Sequence, residues 1–130
     1  MNIQENNKLI AEFMGVRHTD DSKYIETLKE MKSNGLYFEQ GYMTSELKYD
    51  TDWNWLMIVV DKIQLLDIVH DNTRSYDSVY KEWVCTFSPA YKTHDFGNII
   101  GKSKNSEFEA VFNACIDFIK WYNLNNLKNS

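Results

Sequence analysis

The chain has 130 residues, 43% of them hydrophobic and 15% aromatic, enough to bury roughly two thirds of its unfolded surface in one domain without staples. Nineteen acidic residues against fourteen basic ones give a net charge of −5, which argues against direct nucleic-acid binding through clustered Lys and Arg. No run of about eighteen apolar residues marks a membrane span, and the first seven residues hold neither a basic n-region nor a signal-peptide core. With Cys85 and Cys115 as a poor disulfide framework, a reduced protein of the cytoplasm is expected.

Residues 3–14 read as a short helix. Ile3, Ile10, Phe13 and Met14 share a face with Leu9 beside it, and Gly15 stands where helices commonly end in a left-handed residue. Residues 16–49 form a variable insert. Thr19-Asp20-Asp21-Ser22 is a turn or cap cluster. Tyr24, Ile25, Leu28 and Met31 have helical spacing, so a helix is expected over 22–33, stopped by Asn34-Gly35. Leu36-Tyr37-Phe38 and Leu47-Lys48-Tyr49 are expected as short strands around a turn near Gly41.

Asp50 to Ile63 is the most apolar stretch. As a helix it places Trp53, Leu56, Met57, Val60 and Ile63 on one stripe and Trp55, Ile58 and Val59 on another, leaving Asn54, Asp61, Lys62 and Gln64 for water. Thr51 or Asp52 caps its start, where acidic side chains suit the helix dipole. The rival reading is a buried strand over Leu56–Val60, which the long helical spacing outweighs. The helix is expected to end near Leu65–Val69, and His70-Asp71-Asn72-Thr73 to break the pattern.

From Val79 to Phe87 the period changes to two, with Val79, Trp83, Cys85 and Phe87 pointing one way. Pro89 ends this strand, and a second short strand over Phe96–Ile100 is bracketed by Gly97 and Gly101. Ser106 and Glu109 form a capping box for the last helix, lined by Phe108, Val111, Phe112, Cys115, Phe118, Ile119 and Tyr122. Residues 124–130 read as a frayed polar tail. The fold class expected is α+β: three to four helices packed on a small, mainly antiparallel β-sheet, within a single domain over 1–130.

Three segments carry a resemblance. Asn7-Lys8-Leu9-Ile10-Ala11-Glu12-Phe13-Met14-Gly15, Tyr49-x-Thr-Asp-Trp-Asn-Trp-Leu-Met and residues 109–123 (Glu-Ala-Val-Phe-Asn-Ala-Cys-Ile-Asp-Phe-Ile-Lys-Trp-Tyr-Asn) resemble the phage α/β/α-sandwich family of small bacteriophage and prophage proteins. The matches cover about forty residues, in the family's order. Asp50 stands where the family often has histidine, and residues 16–48 lie outside the matches. The resemblance implies helices on a small antiparallel sheet. It implies no activity, cofactor or catalytic residue.

Candidate sites are few. Trp53 and Trp55 suit base stacking, but they lie about 200° apart on a helix and cannot form one clamp, so core roles are expected. Asp50, Asp52 and Asp61 are oxygen donors without the spacing of a cation loop, and capping is the simpler role. His70-Asp71 and His94-Asp95 are adjacent pairs that lack a third group, and His18 stands apart from both. Cys85 and Cys115 read as buried small hydrophobes rather than nucleophiles.

Three functions follow, in order. The first is a non-enzymatic phage or prophage accessory protein in the host cytoplasm, a candidate anti-defence factor that binds a protein partner. It has no catalytic residue, cofactor or metal, and its broad apolar arc also suits a homodimer. The alternative is a protein that binds or sequesters a nucleotide signal, with Tyr37 and Tyr49 for stacking and Lys92 and Lys102 for phosphate. The third is a small hydrolase built on His94 and Asp95.

Overall fold

The computed structural model describes residues 3–21, 23, 30, 42–66, 69–89 and 98–125, the side chains of His70 and Pro89 excepted. The expected helix over 22–33 lies outside them save for Lys23 and Glu30, both helical. Leu36–Phe38, Tyr37, Lys92, His94, Asp95, Phe96 and Gly97 also lie outside them.

The architecture is α+β. Helices α1 (Ile3–Met14), α2 (Trp53–Leu65) and α3 (Glu107–Asn125) pack together with a sheet of β3 (Val69–Asp77), β4 (Glu82–Pro89) and β5 (Ile99–Ser103). The strand order is β3-β4-β5, and both junctions are antiparallel. A second, two-stranded parallel pair joins β1 (His18–Thr19) to β2 (Tyr42–Met43).

Helix α3 is the long element across the sheet. Ala110, Val111, Phe112, Ala114, Cys115, Ile116, Phe118 and Ile119 are buried along it, matching the expected stripe. Its cap departs from the simple box. The Glu109 N–H donates to Ser106 Oγ at 3.0 Å, but the Glu109 carboxylate accepts from the Ser103 hydroxyl at 3.1 Å. Ser103 Oγ in turn accepts from the backbone N–H groups of Asn105 and Ser106. A buried serine at the end of β5 thus relays the cap, tying strand end to helix start.

Across the sheet Arg74, Cys85 and Gly101 form one row, and Asn72, Phe87 and Ile99 another, on the face that carries α3. Gly101 is buried there because α3 comes so close. A Cβ at Gly101 would meet the Ala110 carbonyl, the Ala114 N–H and, at 2.8 Å, the Ala114 Cα. The glycine expected to bracket the strand therefore lies inside it, and it sets the spacing between helix and sheet. Thr73, Ser75, Ile100 and Lys102, on the opposite face, are exposed.

The structure corrects three other expectations. His70–Thr73 does not break the chain; it belongs to β3, a nine-residue strand whose polar side chains alternate onto an exposed face. Backbone pairing with β4 supplies the stability that its side chains do not advertise. The strand expected from Val79 begins instead at Glu82. Val79 and Tyr80 are 81% and 68% exposed in the hairpin turn, where the Asp77 carboxylate accepts both their N–H groups at 2.9 and 3.1 Å. Lys81 closes that turn in the left-handed region with φ 55°. Finally, Leu47–Tyr49 is not a strand. A 3₁₀ turn at Thr44–Glu46 precedes it, and the Lys48 carbonyl accepts from Thr51 and Asp52, bending the chain into α2.

The core joins all three helices. Ile10 and Ala11 of α1, Leu47 and Tyr49 of the loop, Leu56, Val59, Val60 and Ile63 of α2, Cys85 and Phe87 of β4, and the buried face of α3 form one cluster. Asn7 sits in it at 4% exposure. Its amide donates to the Leu47 carbonyl at 3.3 Å and to Asp50 Oδ1 at 2.9 Å, fixing the loop that precedes α2.

Candidate binding clefts beside the two tryptophans

Asp52 sits in extended backbone and accepts the Asn54 N–H at 2.8 Å, the expected cap of α2. Asp50 is held by Asn7. Among the described residues no group of three His, Cys, Asp or Glu is placed to hold a metal ion.

The cap starts α2 so that its first two aromatics face different neighbours. Trp53 meets Phe108 at the start of α3, edge to face, with ring centroids 4.8 Å apart. Trp55 meets Tyr42 at 5.3 Å and Tyr49 at 5.1 Å, also edge to face. The two tryptophans therefore belong to separate aromatic clusters, as their angle on the helix requires.

Each cluster borders a cleft. On the Trp53 side a cleft of about 300 Å³ is lined by Ile3, Asn6, Asp50, Phe108, Glu109 and Phe112. Ile3 in that lining is 57% exposed, and Trp53, which meets the lining residue Phe108, is 39% exposed. The lining holds two carboxylates and no Lys or Arg. Arg74 lies close by, its guanidinium 3.6 Å from Glu107 and 3.8 Å from the Met57 sulfur.

On the Trp55 side a cleft of about 310 Å³ is lined by Val16, Tyr42, Tyr49, Asn54, Trp55 and Ile58. None of these side chains is charged. Tyr49 is fully buried, and its hydroxyl has no hydrogen-bond partner among the described residues. Burial, with Tyr42 beside it, pushes its phenol up to about 12.

A third cleft, of about 340 Å³, lies along β5 and α3, with Lys102, Asn113, Asp117 and Lys120 in its lining. Lys102 is exposed and its ammonium is 3.7 Å from Glu82.

Of the four residues read as ligand contacts, Tyr49 and Lys102 are the two that the structure describes. Tyr37 and Lys92 lie outside the described residues, and Tyr49 and Lys102 line different clefts. Tyr49, read as a stacking surface, lies beneath its neighbours in the core instead. The buried loop path between the 3₁₀ turn and α2 is what takes it there, and no local pattern announces such a path.

The cysteines behave as small hydrophobes. Burial pushes the Cys115 thiol well up, and Cys85 up as well. The Asn72 amide donates to the Cys85 sulfur at 3.3 Å. His18 Nε2 lies 3.9 Å from Glu12. Asp20, at the exposed end of β1, is held below its usual range by the Thr44 hydroxyl and the Lys8 ammonium, the latter 3.2 Å away.

Sequence reasoning placed Ile58 in the core, yet it is 49% exposed. The available signal was the width of the apolar arc on α2. The helix buries Leu56, Val59, Val60 and Ile63, and what exceeds that stripe borders a cleft.

Comparison of the chain with protein-family models, with curated proteins and with solved structures finds no match.

Proposed function

We propose that this is a non-enzymatic binding protein that docks a protein partner on the Trp53–Phe108 face. The observation that carries the reading is the half-exposed Trp53 ring seated on Phe108, beside a cleft with exposed Ile3 and a rim of Asp50 and Glu109. An aromatic anchor with a polar rim is the anatomy of an interface hot spot. The two carboxylates, with no cation in the lining, suit a partner that offers a basic group next to an apolar side chain. An accessory role in phage or prophage biology, in the host cytoplasm, rests on the resemblance of residues 7–15, 49–57 and 109–123 alone.

Co-purification tests it. The tagged chain, expressed in host cells, is expected to retain one stoichiometric partner that Trp53→Ala loses and Tyr76→Ala keeps. Equal recovery with wild type and Trp53→Ala contradicts the reading.

A second reading, sequestration of a nucleotide signal, draws on Lys102 and Lys120 lining one polar cleft. Its test is a thermal-shift screen against nucleotides and cyclic dinucleotides. A rise in Tm that Lys102→Ala abolishes supports it, and no shift with any of them rejects it.

A further inference from the structure

The Trp55 cleft shares no residue with the Trp53 cleft, and it has different chemistry. Its walls are Val16, Tyr42, Trp55 and Ile58, with Asn54 supplying an amide. Tyr49 lines it while being fully buried, its hydroxyl without a partner. A buried hydroxyl with no partner forfeits its desolvation energy, and native folds rarely leave one so unless water or a ligand completes it.

We propose that this cleft is a binding site for a small neutral molecule with an apolar ring and a hydrogen-bond acceptor, which the Tyr49 hydroxyl recognises. The ring packs against Tyr42, Trp55 and Ile58. The acceptor, a carbonyl or a ring nitrogen, accepts a hydrogen bond from the Tyr49 hydroxyl, which keeps its proton. Neutrality follows from the lining, which offers no counter-charge to an ion taken out of water. Size follows from the volume of about 310 Å³, at the small end of ligand cavities. Because the phenol is pushed up to about 12, it remains a donor at every physiological pH.

Three probes of similar size separate the parts of this assignment. Benzamide is neutral with an acceptor, toluene lacks the acceptor, and benzoate is charged. The ¹⁵N-labelled full chain is titrated with each while the Trp55 indole N–H signal is followed, assigned through Trp55→Phe. Benzamide is expected to shift that signal saturably and to bind more tightly than toluene or benzoate. Tyr49→Phe is expected to weaken benzamide about tenfold and leave toluene unchanged, the loss of one buried hydrogen bond. A benzamide titration that leaves the Trp55 signal in place, or an affinity unchanged in Tyr49→Phe, overturns the proposal. The ligand-free variant supplies an independent check. Removing a hydroxyl that has no partner is expected to hold or raise Tm, whereas a lower Tm shows that the hydroxyl is already bonded within the fold, which also overturns it.

Discussion

Tyr49 and Trp55 meet edge to face with ring centroids 5.1 Å apart, and Tyr49 is wholly buried beneath the contact. The five residues between them carry the turn and the Asp52 cap, so this contact fixes how the loop enters α2. Burial of the phenol has a consequence at alkaline pH. The folded state holds the Tyr49 proton up to about 12, whereas the unfolded chain releases it near 10. Between those values the native state binds more protons than the unfolded state, so stability falls as pH rises. Tyr49 therefore contributes fully below about pH 10 and up to about 3 kcal/mol is lost on approaching pH 12. Urea unfolding at pH 9 and pH 11 is expected to show a steeper loss for wild type than for Tyr49→Phe. Parallel losses in the two would place the phenol in water.

Gly101→Ala tests the seat of α3 on the sheet. The new methyl meets backbone atoms of Ala110 and Ala114, which cannot rotate away, so helix and strand must separate. A destabilisation of about 3 kcal/mol is expected from overpacking. Equilibrium urea denaturation reads it as a lower midpoint with an unchanged slope. An unchanged midpoint would mean that the helix sits further from β5.

Much of this arrangement was legible in the chain, and the failures have a common physical cause. Helices α2 and α3 carry their own signals, a capping residue and a continuous apolar stripe, so their bounds could be read. Strand β3 could not, because Asp71, Thr73, Ser75 and Asp77 face an exposed side of the sheet and its stability comes from backbone pairing with β4. Val79 and Tyr80 misled in the opposite sense: they look like strand residues but stand exposed in the turn. Periodicity reports which face is apolar, not which neighbour arrives. The clefts beside Trp53 and Trp55 depend on neighbours contributed by α1, β2 and α3. Only the angle between the tryptophans was visible beforehand.

Ser103→Ala addresses the relay at the start of α3. The hydroxyl accepts two backbone N–H groups and donates to Glu109, so its removal leaves the Asn105 and Ser106 donors without that acceptor. A loss of about 1–2 kcal/mol is expected, in the range of helix-cap deletions. Circular-dichroism melts of Ser103→Ala beside Ser103→Thr measure it, and threonine is expected to recover part of the loss. A neutral Ser103→Ala would show that the relay does not hold the helix.

The thiols give a probe of opening. Cys85 and Cys115 are both fully buried with raised pKa values, so neither offers thiolate to a reagent in the native state. Ellman's reagent at pH 8 is expected to label neither in buffer and both in denaturant, and the native rate should track global stability across the variants above. Rapid labelling of one thiol in buffer would reveal local opening around β4 or α3.

Partner docking at the Trp53–Phe108 face is tested most directly by site-specific photo-crosslinking in host cells. A photoreactive residue replaces Ile3, 57% exposed beside Phe108, in one sample, and Thr73, on the opposite face of the sheet, in another. Irradiation is expected to give one discrete adduct from position 3, lost when Trp53→Ala is added, and none from position 73. No adduct from position 3, or the same adduct from both positions, would contradict docking at this face.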